Sequence, residues 1–128
     1  MSRKETMKQI RAQTLLVRRL GAQLKAMSAD GIASPRLDGM PRARGGAAGG
    51  LDIQYEKREA MRRIVERESA LLRKCEREAR REMNGMRPDL YAFCALYYIA
   101  ALSIEEAAEA MDRSKRQCER YKSEVERG

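Results

Sequence analysis

The stretch SIEEAAEAMDRSKRQCERYKSEVER, residues 103–127, decides how this chain is read. It carries one local device twice: Ser103 is followed three residues on by Glu106, and Ser114 by Gln117. In such a capping box the serine hydroxyl accepts from the backbone N–H three residues ahead, and that residue's side chain reaches back to the serine amide. Helices are therefore expected to start at 103 and at 114. Only Met111, Asp112 and Arg113 separate them, and so short a turn makes neighbouring helices cross steeply, as in a helix-turn-helix. Ala107 and Ala108 stand where the two helices meet, and a small residue at Ala108 lets the backbones approach. Ala108, Met111, Cys118 and Tyr121 are the expected core of the motif. The turn position most often taken by Gly is Asp112, and Asp tolerates the left-handed conformation better than most residues.

The other side of the last helix shows Ser114, Lys115, Arg116, Gln117, Glu119, Arg120 and Ser123, the candidate DNA-binding set. Arg and Lys match guanine O6 and N7 in the major groove, and a glutamate such as Glu119 accepts from cytosine N4. The capped helix start, with its backbone N–H groups, suits a phosphate.

Working upstream, Asn84-Gly85-Met86-Arg87-Pro88 is punctuation: Gly stops one helix and Pro starts the next. A helix over 88–101 presents Leu90, Phe93, Cys94, Tyr97 and Ala101 on one face, so residues 88–128 read as a three-helix bundle ending in the helix-turn-helix. Before it, 51–84 is expected to be one long helix with Asp52 as N-cap. Met61, Ile64, Glu68, Leu72, Cys75, Ala79 and Met83 follow one another at spacings of three and four, as in a coiled coil. Residues 1–27 repeat the pattern through Met7, Ile10, Thr14, Val17, Gly21 and Leu24, with Gly21 a weak point or a place of close approach. Between these helices, 28–50 holds two Pro and six Gly and is expected to be a mildly basic loop (Arg36, Arg42, Arg44) that closes an antiparallel hairpin. The fold class is thus all-α: a long coiled-coil-like hairpin, then the terminal bundle.

Charge is distributed unevenly. Residues 88–112 carry five acidic side chains and no basic one, whereas 113–128 carry six basic against three acidic. Positive potential concentrated on the terminal helix attracts a polyanion, and phosphate backbones are the commonest one. Aromatics are only 5% of the chain, too few for a thick sheet-based core but enough for helices that each bury a narrow stripe. The chain has no His, the usual general base and metal ligand. Cys75, Cys94 and Cys118 lack metal-site spacing and lie within apolar stripes. No Gly loop has the sequence of a phosphate cradle. An enzyme, a metal or a cofactor is therefore not expected. Neither is a membrane span or a leader, which places the protein in the cytoplasm.

The run from Tyr98 and Ile99 through Leu102-Ser103-Ile104-Glu105-Glu106-Ala107-Ala108 to Met111-Asp112-Arg113-Ser114-Lys115-Arg116-Gln117-Cys118-Glu119-Arg120 resembles region 4 of a sigma factor. Within that group it is similar to the sigma-like phage regulators of the RinA and ArpU late-operon activator type. Ser34-Pro35-Arg36-Leu37-Asp38-Gly39-Met40-Pro41-Arg42 looks like a Pro/Gly/Arg stretch in those proteins. The resemblance implies that Ser114 caps a recognition helix and that Arg116 and Arg120 face DNA. It departs from the family at Tyr97, where Arg is usual, and at Ala101, where Gly is. Ala107 and Cys118 stand where larger aliphatic residues are usual. It implies a phage or prophage transcription regulator acting in the bacterial host. Double-stranded DNA is the expected partner, with RNA polymerase and a second copy bound through the long helices as further ones. Two alternatives fit the same features: a small terminase subunit of a DNA-packaging motor, or a helical adaptor that grips RNA polymerase without touching DNA.

Overall fold

Capping residues and Gly/Pro punctuation cut the chain into helices, and the computed structural model places them. It describes the backbone of residues 2–37 and 44–127 and the side chains of residues 2–27 and 52–127. The described residues form helices and no strand: α1 Arg3–Leu37, α2 Arg44–Met83, α3 Pro88–Cys94 continuing as a π-helical segment Ala95–Ile99, α4 Ile104–Met111 and α5 Lys115–Arg127.

The loop expected over 28–50 is shorter than the sequence suggests. α1 runs past 27 to Leu37, and α2 starts at Arg44 rather than near 51, so Asp52 lies inside a helix and is not its N-cap. Ala29, Ile32 and Ala33 on one side, and Ala47 and Ala48 on the other, favour helix. Pro35 falls in the last turn of α1, where its missing N–H removes a single bond. Residues 38–43 and the side chains of Arg36, Arg42 and Arg44 lie outside the described residues, as does most of the 34–42 patch.

The chain divides into two compact units, Met1–Leu16 with Ala70–Gly128, and Val17–Ser69. The terminal helices therefore share their unit with the start of α1 and the end of α2, and do not stand as a separate body from 88 onward. One core joins all five helices there. Met7 and Ile10 of α1 and Cys75, Ala79 and Met83 of α2 are buried in it, which continues the spacing seen in the sequence. α3 contributes Leu90, Phe93 and Cys94, α4 contributes Ala107 and Ala108, and α5 contributes Cys118, Tyr121 and Val125. The three cysteines are free and buried, and they pack as small hydrophobes.

Phe93, the only Phe, is the hub of this core. Its ring centroid lies 5.3 Å from that of Tyr97, 6.1 Å from that of Tyr98 and 5.7 Å from that of Tyr121. Offset and edge contacts of this kind add to the area that aromatics bury. Tyr98, not the expected Tyr97, is fully buried, while Tyr97 is half-buried. The π-helical segment explains the change. A wider turn shifts which residue follows Leu90 and Cys94 inward.

That wider turn closes on Ala101, whose φ is 57°. The Leu102 amide bonds back to the Leu96 carbonyl at 3.0 Å and the Ala100 amide to Ala95 at 2.9 Å. α1 satisfies further carbonyls at this helix end. Arg11 Nη1 donates to the carbonyls of Tyr97 and Leu102, the latter at 2.8 Å, and Thr14 Oγ1 donates to that of Ile99 at 3.0 Å. The Arg11 guanidinium also sits 3.9 Å from the centroid of the Tyr97 ring. A cation at a helix C-terminus is favoured by the dipole as well as by these bonds.

In the unit Val17–Ser69 no described residue is buried. Val17, Leu20, Leu24 and Met27 on α1, and Met61, Ile64 and Val65 on α2, are half-buried stripes at helical spacing. Glu59 pairs with Arg62 at 3.1 Å. A Cβ built on Gly21 meets no atom of the described residues within 4 Å, so none of them approaches this glycine closely. No helix among the described residues is long and apolar enough to cross a membrane.

Candidate nucleic-acid interface

α4 begins with the capping box that the sequence predicts, and α5 with one of the two bonds of its own. The Ser103 hydroxyl accepts from the Glu106 amide at 3.1 Å, and the Glu106 carboxylate accepts from the Ser103 amide at 2.9 Å, a complete capping box. At α5 the Ser114 hydroxyl accepts from the Gln117 amide at 3.1 Å. Between them Asp112 takes the left-handed conformation, φ 56° and ψ 45°. The Arg113 amide then reaches the Ala108 carbonyl at 2.9 Å and the Asp112 amide that of Glu109 at 3.2 Å, the paired bonds of a Schellman closure.

α5 carries three rows of side chains. Cys118, Tyr121 and Val125 face the core. Arg116, Arg120, Ser123 and Arg127, at spacings of four, three and four, are all exposed and line a shallow depression together with Glu119. Lys115, Glu119, Lys122 and Glu126 form the row beside it, with Lys122 and Glu126 half-buried. The candidate set thus divides. Ser114 is a cap, Gln117 is half-buried beside it, and Lys115, Arg116, Glu119, Arg120 and Ser123 stand outside. Of the core expected for the motif, Ala108, Cys118 and Tyr121 are buried and Met111 packs half-buried against them.

Fixed bonds orient α5 from both ends. Lys115 Nζ lies 3.0 Å from Glu105 of α4, which raises the ammonium's affinity for its proton and lowers the carboxyl of Glu105. Arg87, just before α3, grips both oxygens of Glu124 in a two-pronged contact and reaches Asp89 at 3.0 Å. The Glu124 carboxyl is held below its usual range by that arginine. The Tyr121 hydroxyl donates to Asp89 at 3.1 Å, and the Tyr98 hydroxyl donates to Glu126 at 2.7 Å. Arg116 and Arg120 make no ion pair among the described residues, so their charge is open to solvent.

Negative charge is close by. Glu105, Glu106 and Glu109 are exposed on α4, with Glu105 paired to Lys115 and Glu106 tied into its cap. Among the described residues no group of three or more Cys, Asp or Glu is placed to hold a metal ion. Sequence reasoning overlooked Arg127 and Lys122, although the four-three-four spacing from Arg116 leads to Arg127. Comparison with protein-family models, with characterised proteins and with solved structures finds no match for this chain.

Proposed function

We propose that the chain is a sequence-specific DNA-binding transcription regulator in which α4 and α5 form a helix-turn-helix at the end of a three-helix bundle. α5 enters the major groove, and Arg116 and Arg120 read base edges there. One observation carries this reading: an exposed, unpaired arginine row lies on a helix whose opposite face is locked into the core. The turn of Asp112 and Arg113 before the Ser114 cap supports it, as does the resemblance to phage regulators of the sigma region 4 type, with a bacterial host cell as the setting. Fluorescence anisotropy against duplexes selected from a random pool tests it. Affinity should fall steeply with salt, and Arg116→Ala or Arg120→Ala should cost about 1–3 kcal/mol on the selected site. Unchanged binding by both variants would remove α5 from the groove.

The absence of any buried described residue in Val17–Ser69 favours a second copy pairing through the long helices in a coiled-coil-like manner, with half-buried stripes completing one another. Light scattering should then return a dimer, and a ring of many subunits would point to a packaging-motor subunit instead. The acidic outer face of α4 favours a second reading, an adaptor that binds RNA polymerase through Glu105, Glu106 and Glu109. Salt-tolerant capture of the polymerase without any duplex binding would select it.

A further inference from the structure

Lys122 and Glu126 of α5 face α1 across an open cleft of about 250 Å³, several times the roughly 30 Å³ that one water occupies in the liquid. Lys8, Arg11, Lys122 and Glu126 are its charged lining, with Tyr97 and Tyr98 as aromatic walls and Ala12 and Leu15 of α1 between them. Three cations therefore face one carboxylate. That carboxylate is already engaged, because Glu126 accepts from the Tyr98 hydroxyl at 2.7 Å and lies 3.8 Å from Lys8. Arg11 is a fixed charge, held by two carbonyls. Lys122 has its ammonium 5.9 Å from the Tyr97 ring centroid rather than on a carboxylate. Surplus positive charge is thus built into a concave site, and part of it is immobilised before any ligand arrives.

We infer that this cleft seats a backbone phosphate of the duplex, gripped by Lys8 and Lys122, on the flank of the groove that α5 enters. The inference rests on the DNA-binding reading above and adds to it a second element, the start of α1. Phosphate contacts fix register and orientation, while base contacts specify sequence. The two lysines therefore have a signature distinct from that of Arg116. A phosphate carries its charge whatever the sequence, so losing one contact weakens all duplexes alike and flattens the salt dependence.

The test uses the full chain, a random-sequence 30-bp duplex and a duplex selected by the wild-type protein, with anisotropy read from 50 to 200 mM salt. Lys8→Gln and Lys122→Gln should each lower affinity by the same factor on both duplexes. Each should also make the loss of affinity across that salt range about 3–4-fold smaller than in wild type, the effect of one released counterion. Lys8→Arg should restore the wild-type salt dependence, and Lys8 is exposed enough for its variants to keep the helical circular dichroism of the parent. A wild-type slope in both Gln variants, while Arg116→Ala still loses discrimination between the duplexes, would overturn the cleft and leave the recognition helix standing. No duplex binding by the wild-type chain at any salt would remove both.

Discussion

Two non-glycine residues close helices in the left-handed conformation, Ala101 at φ 57° and Asp112 at φ 56°. For an L-residue that geometry costs roughly 1–2 kcal/mol relative to Gly, less for Asp than for Ala. Ala101→Gly should therefore raise stability by about 1 kcal/mol in urea unfolding, and Asp112→Gly by less. Gly85, at φ 89° after α2, should behave in the opposite way, with Gly85→Ala losing about 1 kcal/mol. Gly21 sits inside α1 with open space around it, so Gly21→Ala should gain up to about 1 kcal/mol of helix propensity. A loss there would mean that a partner comes close to this glycine. The strain at Asp112 was legible in the sequence from the spacing of the two caps. That at Ala101 was legible only as a departure from a resembled pattern. The burial of Tyr98 was not legible, because periodicity presumes an α-helical turn and the segment Ala95–Ile99 is wider.

The elements depend on one another through their ends. α3 is finished by side chains that lie 85 or more residues earlier, Arg11 and Thr14 of α1. Arg11→Ala would leave the half-buried Tyr97 and Leu102 carbonyls without this donor, at up to about 1 kcal/mol for each hydrogen bond lost, and it would also remove the cation from the Tyr97 ring. Thermal unfolding of Arg11→Ala should show a fall of several degrees, with Arg11→Lys losing less, because one ammonium can still donate to both carbonyls but lacks the planar group that stacks on the Tyr97 ring. A melting temperature equal to wild type would remove α1 as the cap of α3. Local start signals carried well from sequence to structure: Ser103, Ser114 and Pro88 each begin a helix, or stand just before one, where the chemistry of a cap requires it. Long-range partners did not. Arg11 on a helix rich in basic residues looks like its neighbours until α3 is beside it. In 28–50 the described helices reach further, to Leu37 and from Arg44, than a count of Pro and Gly suggests.

At the scale of the molecule, the unit that carries α5 is assembled from both ends of the described chain. A fragment of residues 88–128 should therefore lack a cooperative transition by circular dichroism, having lost Met7, Ile10, Cys75, Ala79 and Met83 from its core. It also falls near the size below which domains rarely fold unaided. The same core sets the response to pH. Burial pushes the Cys94 thiol up to about 12 from an ordinary 9.0, and burial together with its bond to Glu126 raises the Tyr98 phenol. Both groups hold their protons longer when folded; the contribution of Cys94 is complete below about pH 9 and is lost as pH rises toward 12, and that of Tyr98 is lost at more alkaline pH. Glu105 and Glu124 act in the other direction: with carboxyls lowered by Lys115 and Arg87, they stabilise above the usual carboxylate range and cease to as pH falls through it. Stability measured against pH should be flat between these limits, and Cys94→Ala should flatten the alkaline limb.

The bonds from Arg11 and Thr14 to the far end of α3 also govern when the unit can close. A ribosome adds roughly 5–20 residues per second, so the first sixteen residues emerge some 4–20 s before the segment they hold. Throughout that interval Met7 and Ile10 have no permanent cover, and a chaperone that shields apolar helices would find its substrate in that stretch of α1.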